Sequence, residues 1–513
     1  MHWNVPVEMS GSEAAIAKRL HRIGRLYVFL REIRHELFDA EFEAELAKAY
    51  GKARGTDALP PALLAMVTLL QAYDQVSDAD AVITAVMDKR WQLVLGCLGS
   101  EEAPFSQGVL VRFRERMVEH DLDRKLLDRT VELAKQREGF GWQKLKVALD
   151  SSPLLGAGRV EDTWNLLGRA LSLVVDCAAK VVGVPRDRII EEAKLDVLRG
   201  PSIKVALDID WDDPEQQGQA LQRLIAEVDR AQQWVTARAG EKVDKPPLSE
   251  AIRALRRVLE QDLEPDPTTG KPRIRRGVAR DRMPSLGDRQ MRHGRKSKAR
   301  AFTGYKRHIA KVHGVIVSAL VQPANQPEHE ATEALLSDAR KHGKVEELHI
   351  DRGFLGSPTV GQFHDEGGVV LCKPWPSRNK GRFTKLDFRI DLESNKVTCP
   401  AGRDVDIGGP GSTAQFPAQA CASCQLRTKC TAGNHGRSVA IHPQEKLLLL
   451  LREKRATRDG RKDLRQRVTV EHSLASIAAI QGPRARYKGI RKNSFDLRRC
   501  AAVANLQVLR AAA

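Results

Sequence analysis

The chain has 513 residues, 42% of them hydrophobic and 29% charged, the composition of a packed protein rather than a disordered one. No apolar run approaches the ~20 residues of a membrane-spanning helix. The net charge of +18 then points to a polyanionic partner, read as nucleic acid.

The opening Met1-His-Trp-Asn-Val lacks a charged stretch followed by an apolar core, so no secretory signal is expected and the location is read as cytoplasmic. Residues 1–135 read as helical. Pro60 and Pro61 can open a helix, because proline suits the first turn. Leu63, Met66, Val67 and Leu70 then form one apolar stripe. Ser77 is placed to cap the next helix, with Asp80 three residues on. Ser106 caps a third, in which Val109, Leu110, Phe113 and Met117 share a face and Arg112, Arg114 and Arg116 occupy the rest. Short helices ending in an arginine-bearing one suit a helix-turn-helix-like DNA module; a plain bundle with a solvated basic face fits the same pattern. An all-α N-terminal DNA-binding domain is expected over 1–138.

After Gly139 and Gly141 the period changes. Leu145, Val147 and Leu149 alternate with Lys146, Ala148 and Asp150, the two-residue repeat of a strand. The apolar run stops at Asp150, and Ser151, Ser152 and Pro153 read as a turn. A carboxylate at the carboxyl end of a buried strand is where open α/β folds place their chemistry. An insertion over 155–300 follows, with helices expected at 164–180, 214–239 (Asp213 as cap, Gly240 as stop) and 249–263, then loop over 264–300. From Lys271 to Lys311 there are fifteen Lys or Arg against two acids, Asp281 and Asp288. That imbalance suits phosphate contact, and Arg295, Lys296, Lys298, Lys306 and Arg307 are its candidates. Trp164 and Tyr305 are read as core residues rather than stacking platforms.

Strands at 301–310 and 315–320 form a hairpin through His313 and Gly314, and 328–341 is a helix with Gly343 just past its end. A second strand, 345–350, also ends on an acid, Asp351. A helix at 358–364 and a strand at 369–372 complete an α/β mixed sheet, not a doubly wound parallel one. A cysteine-rich insertion is expected over 373–450. Within it Cys399, Cys421, Cys424 and Cys430 crowd together; four thiols with one close CxxC suit a structural Zn²⁺ site, the rival being free thiols. Residues 452–510 read as helical. A helix over 461–480 carries Glu471 and ends at Gly482 and Pro483. Arg484, Arg486, Lys488, Arg491 and Lys492 fill the next loop, and Ser494 caps a last helix. Asp150, Asp351 and Glu471 brought together can hold two divalent metals, a standard device for attacking phosphodiesters.

At this point the chain resembles the transposases of bacterial insertion sequences, in the DDE superfamily, and within it the branch with an N-terminal helical domain and a four-cysteine insertion. The matching stretches are Val147-Ala-Leu-Asp-Ser-Ser-Pro-Leu-Leu-Gly156 with Asp162-Thr-Trp-Asn-Leu-Leu167, and Gly294-Arg-Lys-Ser-Lys298 with Gly304-Tyr-Lys-Arg-His308. They continue in His349-Ile-Asp-Arg-Gly-Phe354, Cys399-Pro-Ala-Gly402 with Cys421-Ala-Ser-Cys424, and Arg467-Val-Thr-Val-Glu-His472 with Ala485-Arg-Tyr-Lys-Gly489.

The resemblance implies an RNase H-like catalytic domain over 139–513, interrupted by the two insertions. It makes Asp150, Asp351 and Glu471 the catalytic acids, holding Mg²⁺ or Mn²⁺. The family's glutamate helix shows Tyr-x2-Arg-x3-Glu-x6-Lys. Arg467 and Glu471 fit it, with Arg467 able to orient the carboxylate, grip a phosphate or form a plain intrahelical pair. Leu464 and Ala478 replace the tyrosine and the lysine, and Lys488 or Arg491 are the cations available in the lysine's place. The implied partners are double-stranded DNA, as terminal inverted repeats and as target, and a second copy of the chain in a homodimer on that DNA. The location implied is the bacterial cytoplasm, at the nucleoid when bound. The implied reaction is hydrolytic release of a 3′-hydroxyl and its attack on target DNA. The alternative, which the two departures keep open, is a catalytically inactive transposase-derived zinc-containing DNA-binding protein.

Overall fold

The computed structural model of the chain describes residues 2–51, 58–137, 141–297, 299–465, 475 and 477–512. Three expected site residues, Lys298, Arg467 and Glu471, lie outside the described residues.

Residues 11–135 form helices α1 (Gly11–Leu20), α2 (Arg25–Leu37), α3 (Ala40–Ala47), α4 (Pro61–Asp74), α5 (Asp78–Met87), α6 (Lys89–Leu95), α7 (Gln107–Glu119) and α8 (Leu122–Lys135). The Ser77–Asp80 capping box is present, and Ser106 accepts the Val109 N–H. Helix α4 is apolar on every side and all of residues 61–72 are buried, so the expected single stripe is instead a central helix.

The main sheet follows. Its strands are β1 (Lys144–Leu155), then, beyond a short hairpin of β2 (Leu263–Pro265) and β3 (Pro272–Ile274), β4 (Arg292–Ser297), β5 (Arg300–Val312), β6 (Val315–Pro323), β7 (Lys344–His349) and β8 (Val369–Leu371). The order is β4-β5-β1-β7-β8, with β6 also on β5. Strand β1 runs antiparallel to β5 and parallel to β7, and β7 parallel to β8. This mixed sheet with helices is consistent with an RNase H-like core plus a helical N-terminus.

Two expectations fail here. Ser151, Ser152 and Pro153 are not a turn: β1 continues through them, Ser151 opposite His308 and Pro153 opposite Lys306. The β1–β7 ladder ends at Ala148 and His349, so Pro153 sits where β1 has a partner on one side only, and a missing N–H there breaks no ladder. The 264–300 loop contains β4. Its Arg-His-Gly-Arg-Lys-Ser run shows no apolar alternation because residues 295–297 are exposed and main-chain pairing to β5 holds it. Gly294 is required for that approach: a Cβ would stand 2.5 Å from the Ala324 carbonyl oxygen.

The insertion is helical, with α9 (Thr163–Val182), α10 (Arg186–Glu192), α11 (Ile203–Leu207), α12 (Pro214–Ala239) and α13 (Leu248–Asp262) around a core of its own. Asp213 caps α12 and Gly240 follows its end. Helices α14 (Thr332–Arg340) and α15 (Pro358–Asp365) flank β7 in sequence. The cysteine region holds β9 (Arg389–Asp391), β10 (Lys396–Thr398), β11 (Asp404–Asp406), β12 (Thr413–Gln415), α16 (Ala418–Ala422), α17 (Arg427–Cys430) and β13 (Ser438–Ala440). Its buried core is small: Phe388, Val397, Ile407, Ala414, Phe416, Val439 and Ile441.

Helices α18 (Glu445–Ala456), α19 (Arg458–Arg465) and α20 (Ile490–Ala512) close the chain. Helix α20 starts four residues before the expected cap, and Ser494 is buried inside it. It packs against β6, α8 and α4, so the N-terminal helices and the sheet share one apolar core. Asn505 marks the join. Its amide N–H groups donate to Thr130 Oγ1 and the Ile316 carbonyl, each at 2.9 Å, and its Oδ1 accepts the Ile316 N–H at 2.7 Å. No helix among the described residues is long and apolar enough to cross a membrane.

Candidate active site

Asp150 and Asp351 are brought together by the sheet. Ala148 pairs with His349 in parallel register, and each aspartate lies two residues further along its own strand direction. Side chains alternate along a strand and opposed residues share a face, so extension of the Ala148–His349 register by two residues would put both aspartates on one face. Asp351 still has extended backbone (φ −84°, ψ 164°) before the chain turns into the 3-10 turn Arg352–Phe354. Neighbouring strands lie about 4.8 Å apart, which suits two ions about 3.5–4 Å apart. Asp150 is buried, 8% exposed, and its Oδ1 accepts the Ser151 N–H at 2.8 Å. Asp351 is half-buried.

The third acid, Glu471, lies outside the described residues, but the segment that follows it does not. Arg307 on β5 donates from Nε to Ser152 Oγ at 2.7 Å, and from Nη1 to Gln481 Oε1 at 3.0 Å and the Gly482 carbonyl at 3.1 Å. Ser152 shares a face with Asp150, two residues away. The described chain after Glu471, at Gln481 and Gly482, is therefore tied to the face of β1 that bears Asp150.

Several of the residues expected to contact DNA have partners within the protein. Arg307 is only 3% exposed, burial lowers its pKa, and its bonds to Ser152, Gln481 and Gly482 make it a strut within the protein. Arg491 reaches Asp121 and Asp123 and the Met117 carbonyl, joining α20 to the α7–α8 corner. Arg114 is paired with Asp78 and lies over the Tyr487 ring. Arg116 lies over Tyr50, 4.3 Å from its centroid. Lys306 is half-buried, donates to the Gln326 carbonyl at 2.8 Å, and burial lowers its pKa. Arg112, Arg295, Lys296 and Lys488 are exposed. Tyr305 is fully buried and donates to Asp288, and Trp164 packs edge-on against Trp211, as core residues do.

Glu328 was not anticipated. It opens the 3-10 turn Glu328–Ala331 after β6, and its Oε1 accepts the Ser151 hydroxyl at 2.6 Å. The signal available in the sequence was Gly353 and Gly356 just after Asp351, two positions where a neighbour comes close.

Cys399, Cys421, Cys424 and Cys430 line a single pocket with Phe383, Phe416 and Arg437. Burial pushes the Cys430 thiol pKa up, Arg437 opposes this, and Cys421, Cys399 and Cys424 push it further up. Four thiols crowded in this way are the donor set that suits zinc. For the aspartate pair the fit is to a hard cation, since Mg²⁺ takes one or two carboxylates together with waters and substrate phosphates. Among the described residues, no group of three or more His, Cys, Asp or Glu side chains is arranged as a metal site.

No curated protein and no solved structure matches this chain. Two family models do. One, described as Transposase DDE domain, matches residues 398–510, from the cysteine region through Glu471 to α20. The other, described as Transposase domain (DUF772), matches residues 18–116, from the end of α1 into α7. Asp150 and Asp351 lie between the two matches. Transposase models thus match both ends of the chain and support its placement among the insertion-sequence DDE transposases.

Proposed function

We propose that this chain is a metal-dependent DNA transposase that cleaves the ends of an insertion sequence and joins the freed 3′-hydroxyl to target DNA. The observation that carries the reading is that Asp150 and Asp351 each lie two residues beyond Ala148 and His349, the last pair of the parallel β1–β7 ladder. Asp150, Asp351 and Glu471 would hold Mg²⁺ or Mn²⁺. When bound, a pair of such ions activates the attacking oxygen and stabilises the leaving one.

The chain's own residues prepare that site. Burial of Asp150 in the sheet fixes its carboxylate before substrate arrives, so little reorganisation is needed at the moment of reaction. Arg307 anchors the chain that follows Glu471, at Gln481 and Gly482, and Arg467, four residues before Glu471 in the sequence, would orient that carboxylate or grip a phosphate. Exposed Arg112, Arg295, Lys296 and Lys488 offer phosphate contacts to double-stranded DNA, with Lys298 beside them in sequence. In the first step a water oxygen forms a bond to phosphorus, and the bond to the 3′-oxygen breaks and leaves a hydroxyl. In the second, that hydroxyl attacks a target phosphodiester by the same exchange, so no covalent bond to the protein is required.

Asp150→Asn and Asp351→Asn should bind element-end DNA as the unmutated protein does and lose strand cleavage. Normal cleavage by both variants would overturn the reading. Zinc held by the four cysteines belongs to the same proposal. It would consolidate a region whose apolar core is only seven buried residues. Elemental analysis should find about one zinc per chain.

A further inference from the structure

The β1–β7 ladder ends at Ala148 and His349, two residues short of each aspartate. Beyond that pair Asp150 stays in the β1–β5 ladder opposite Ile309, and the Ile350 N–H donates to the Leu371 carbonyl at 3.0 Å, so the β1–β7 ladder itself does not join the two aspartates. One side chain touches the chain just beyond both. The Glu328 Oε1 accepts the hydroxyl of Ser151, next to Asp150, at 2.6 Å. The Glu328 Oε2 occupies the space above Gly353, two residues after Asp351, where a Cβ would stand 1.8 Å from it. The turns Glu328–Ala331 and Arg352–Phe354 pack together, and the next residue repeats the arrangement: a Cβ on Gly356 would stand 3.2 Å from the His329 ring. Ser151 pairs with His308 and so faces away from Asp150. Glu328 therefore approaches from the side of the sheet opposite the carboxylates. Lys306, on that same side, lies near enough for Glu328 and Glu330 to favour its charged form.

We propose that Glu328 is a positioning residue for the aspartate pair, clamping the chain after Asp150 to the chain after Asp351 and so setting the spacing at which the two share divalent ions. The inference rests on the reading of Asp150 and Asp351 as the metal-holding acids. Glu328 acts through Ser151 and Gly353 and need not touch an ion.

The test uses the full chain and Mn²⁺ as the probe. Mn²⁺ binding is followed by electron paramagnetic resonance without DNA, and cleavage of end DNA is followed against Mn²⁺ concentration. Glu328→Ala should raise the half-saturating Mn²⁺ about tenfold in both readouts, the usual size of a lost supporting contact at a metal site, with end-DNA affinity unchanged. Gly353→Ala should do the same by displacing the carboxylate. Glu328→Gln keeps the acceptor and the shape and should stay close to the unmutated protein. Ser151→Ala, a substitution the fold should tolerate, should shift Mn²⁺ in the same direction by less. Two results overturn the proposal: unchanged Mn²⁺ affinity in Glu328→Ala and Ser151→Ala, or a loss in Glu328→Gln as large as in Glu328→Ala, which would make the charge itself the agent. The double variant Asp150→Asn, Asp351→Asn separates the two claims. If it retains Mn²⁺ binding and cleavage, the reading of the aspartates fails; if it loses both while Glu328→Ala is silent, only the role of Glu328 fails.

Discussion

Arg307→Met is the substitution that most sharply divides two accounts of one residue. The guanidinium is 3% exposed and makes three hydrogen bonds, to Ser152 Oγ, Gln481 Oε1 and the Gly482 carbonyl, at 2.7, 3.0 and 3.1 Å. A charged donor's hydrogen bond contributes about 1.5–3 kcal/mol, but methionine also relieves the cost of burying a cation. Two of the three bonds reach residues 481 and 482, and at about 1 kcal/mol each they contribute roughly 2 kcal/mol to anchoring residues 477–482 to the sheet. That corresponds to a rise of roughly 30-fold in local opening, which hydrogen–deuterium exchange of the peptide covering 477–482 measures directly. Cleavage of end DNA should fall, because residues 481 and 482, which follow Glu471 in the chain, lose their tie to the face of Asp150. Affinity for end DNA and its dependence on salt should not change. A phosphate-contacting arginine behaves in the opposite way: binding weakens for all sequences and the salt slope drops by about one. Unchanged exchange at 477–482 together with a reduced salt slope would refute the strut.

Other outcomes follow from the same structure. Asn505→Leu leaves the buried N–H and C=O of Ile316 without their side-chain partner and should cost about 2–5 kcal/mol; thermal unfolding should show the N-terminal helices and the sheet losing stability together, and separate transitions would contradict the shared core. His308 is fully buried, its ring nitrogens lack partners, and burial first and Lys306 second push its pKa down to about 3. The unfolded chain takes up that proton near pH 6.5 and the folded chain does not, so this residue's contribution to stability is lost as pH falls from about 6.5 toward 3, by up to about 1.4 kcal/mol per pH unit. His308→Leu should flatten that part of the acid-unfolding profile, and an identical profile would remove His308 as its source. Cys421→Ser with Cys424→Ser should abolish zinc retention and increase protease cleavage within 383–441 while leaving the insertion helices of 163–262 resistant; retained zinc would exclude the four-cysteine site.

Much of the scaffold was legible because its signals are local. The caps Ser77, Ser106 and Asp213 and the stop at Gly240 all stand where the sequence places them. The alternation that ends on Asp150, and the similar run that ends on Asp351, located the acidic pair without any knowledge of pairing. What the sequence hid depends on the neighbour rather than on the residue. Pro153 reads as a breaker until it is known to lie between the end of the β7 ladder at Ala148 and the Leu155–Arg484 bridge, where no strand needs its N–H. The charged run of β4 reads as loop because an edge strand can be held by main-chain bonds alone. Arg307 sits in a basic run with Lys306, and only its place opposite Ser152 turns it inward. Glu328 carries no motif; its relevance comes from contacts 177 residues away in the chain.

Asp150 and Asp351 are proposed to share divalent ions. Crystals of the full chain soaked in Mn²⁺ and measured at the manganese edge test this most directly. Anomalous density is expected roughly 2 Å from a carboxylate oxygen of each aspartate. Ordered Mn²⁺ elsewhere in the molecule, with both carboxylates clearly defined and no density between them, would contradict it.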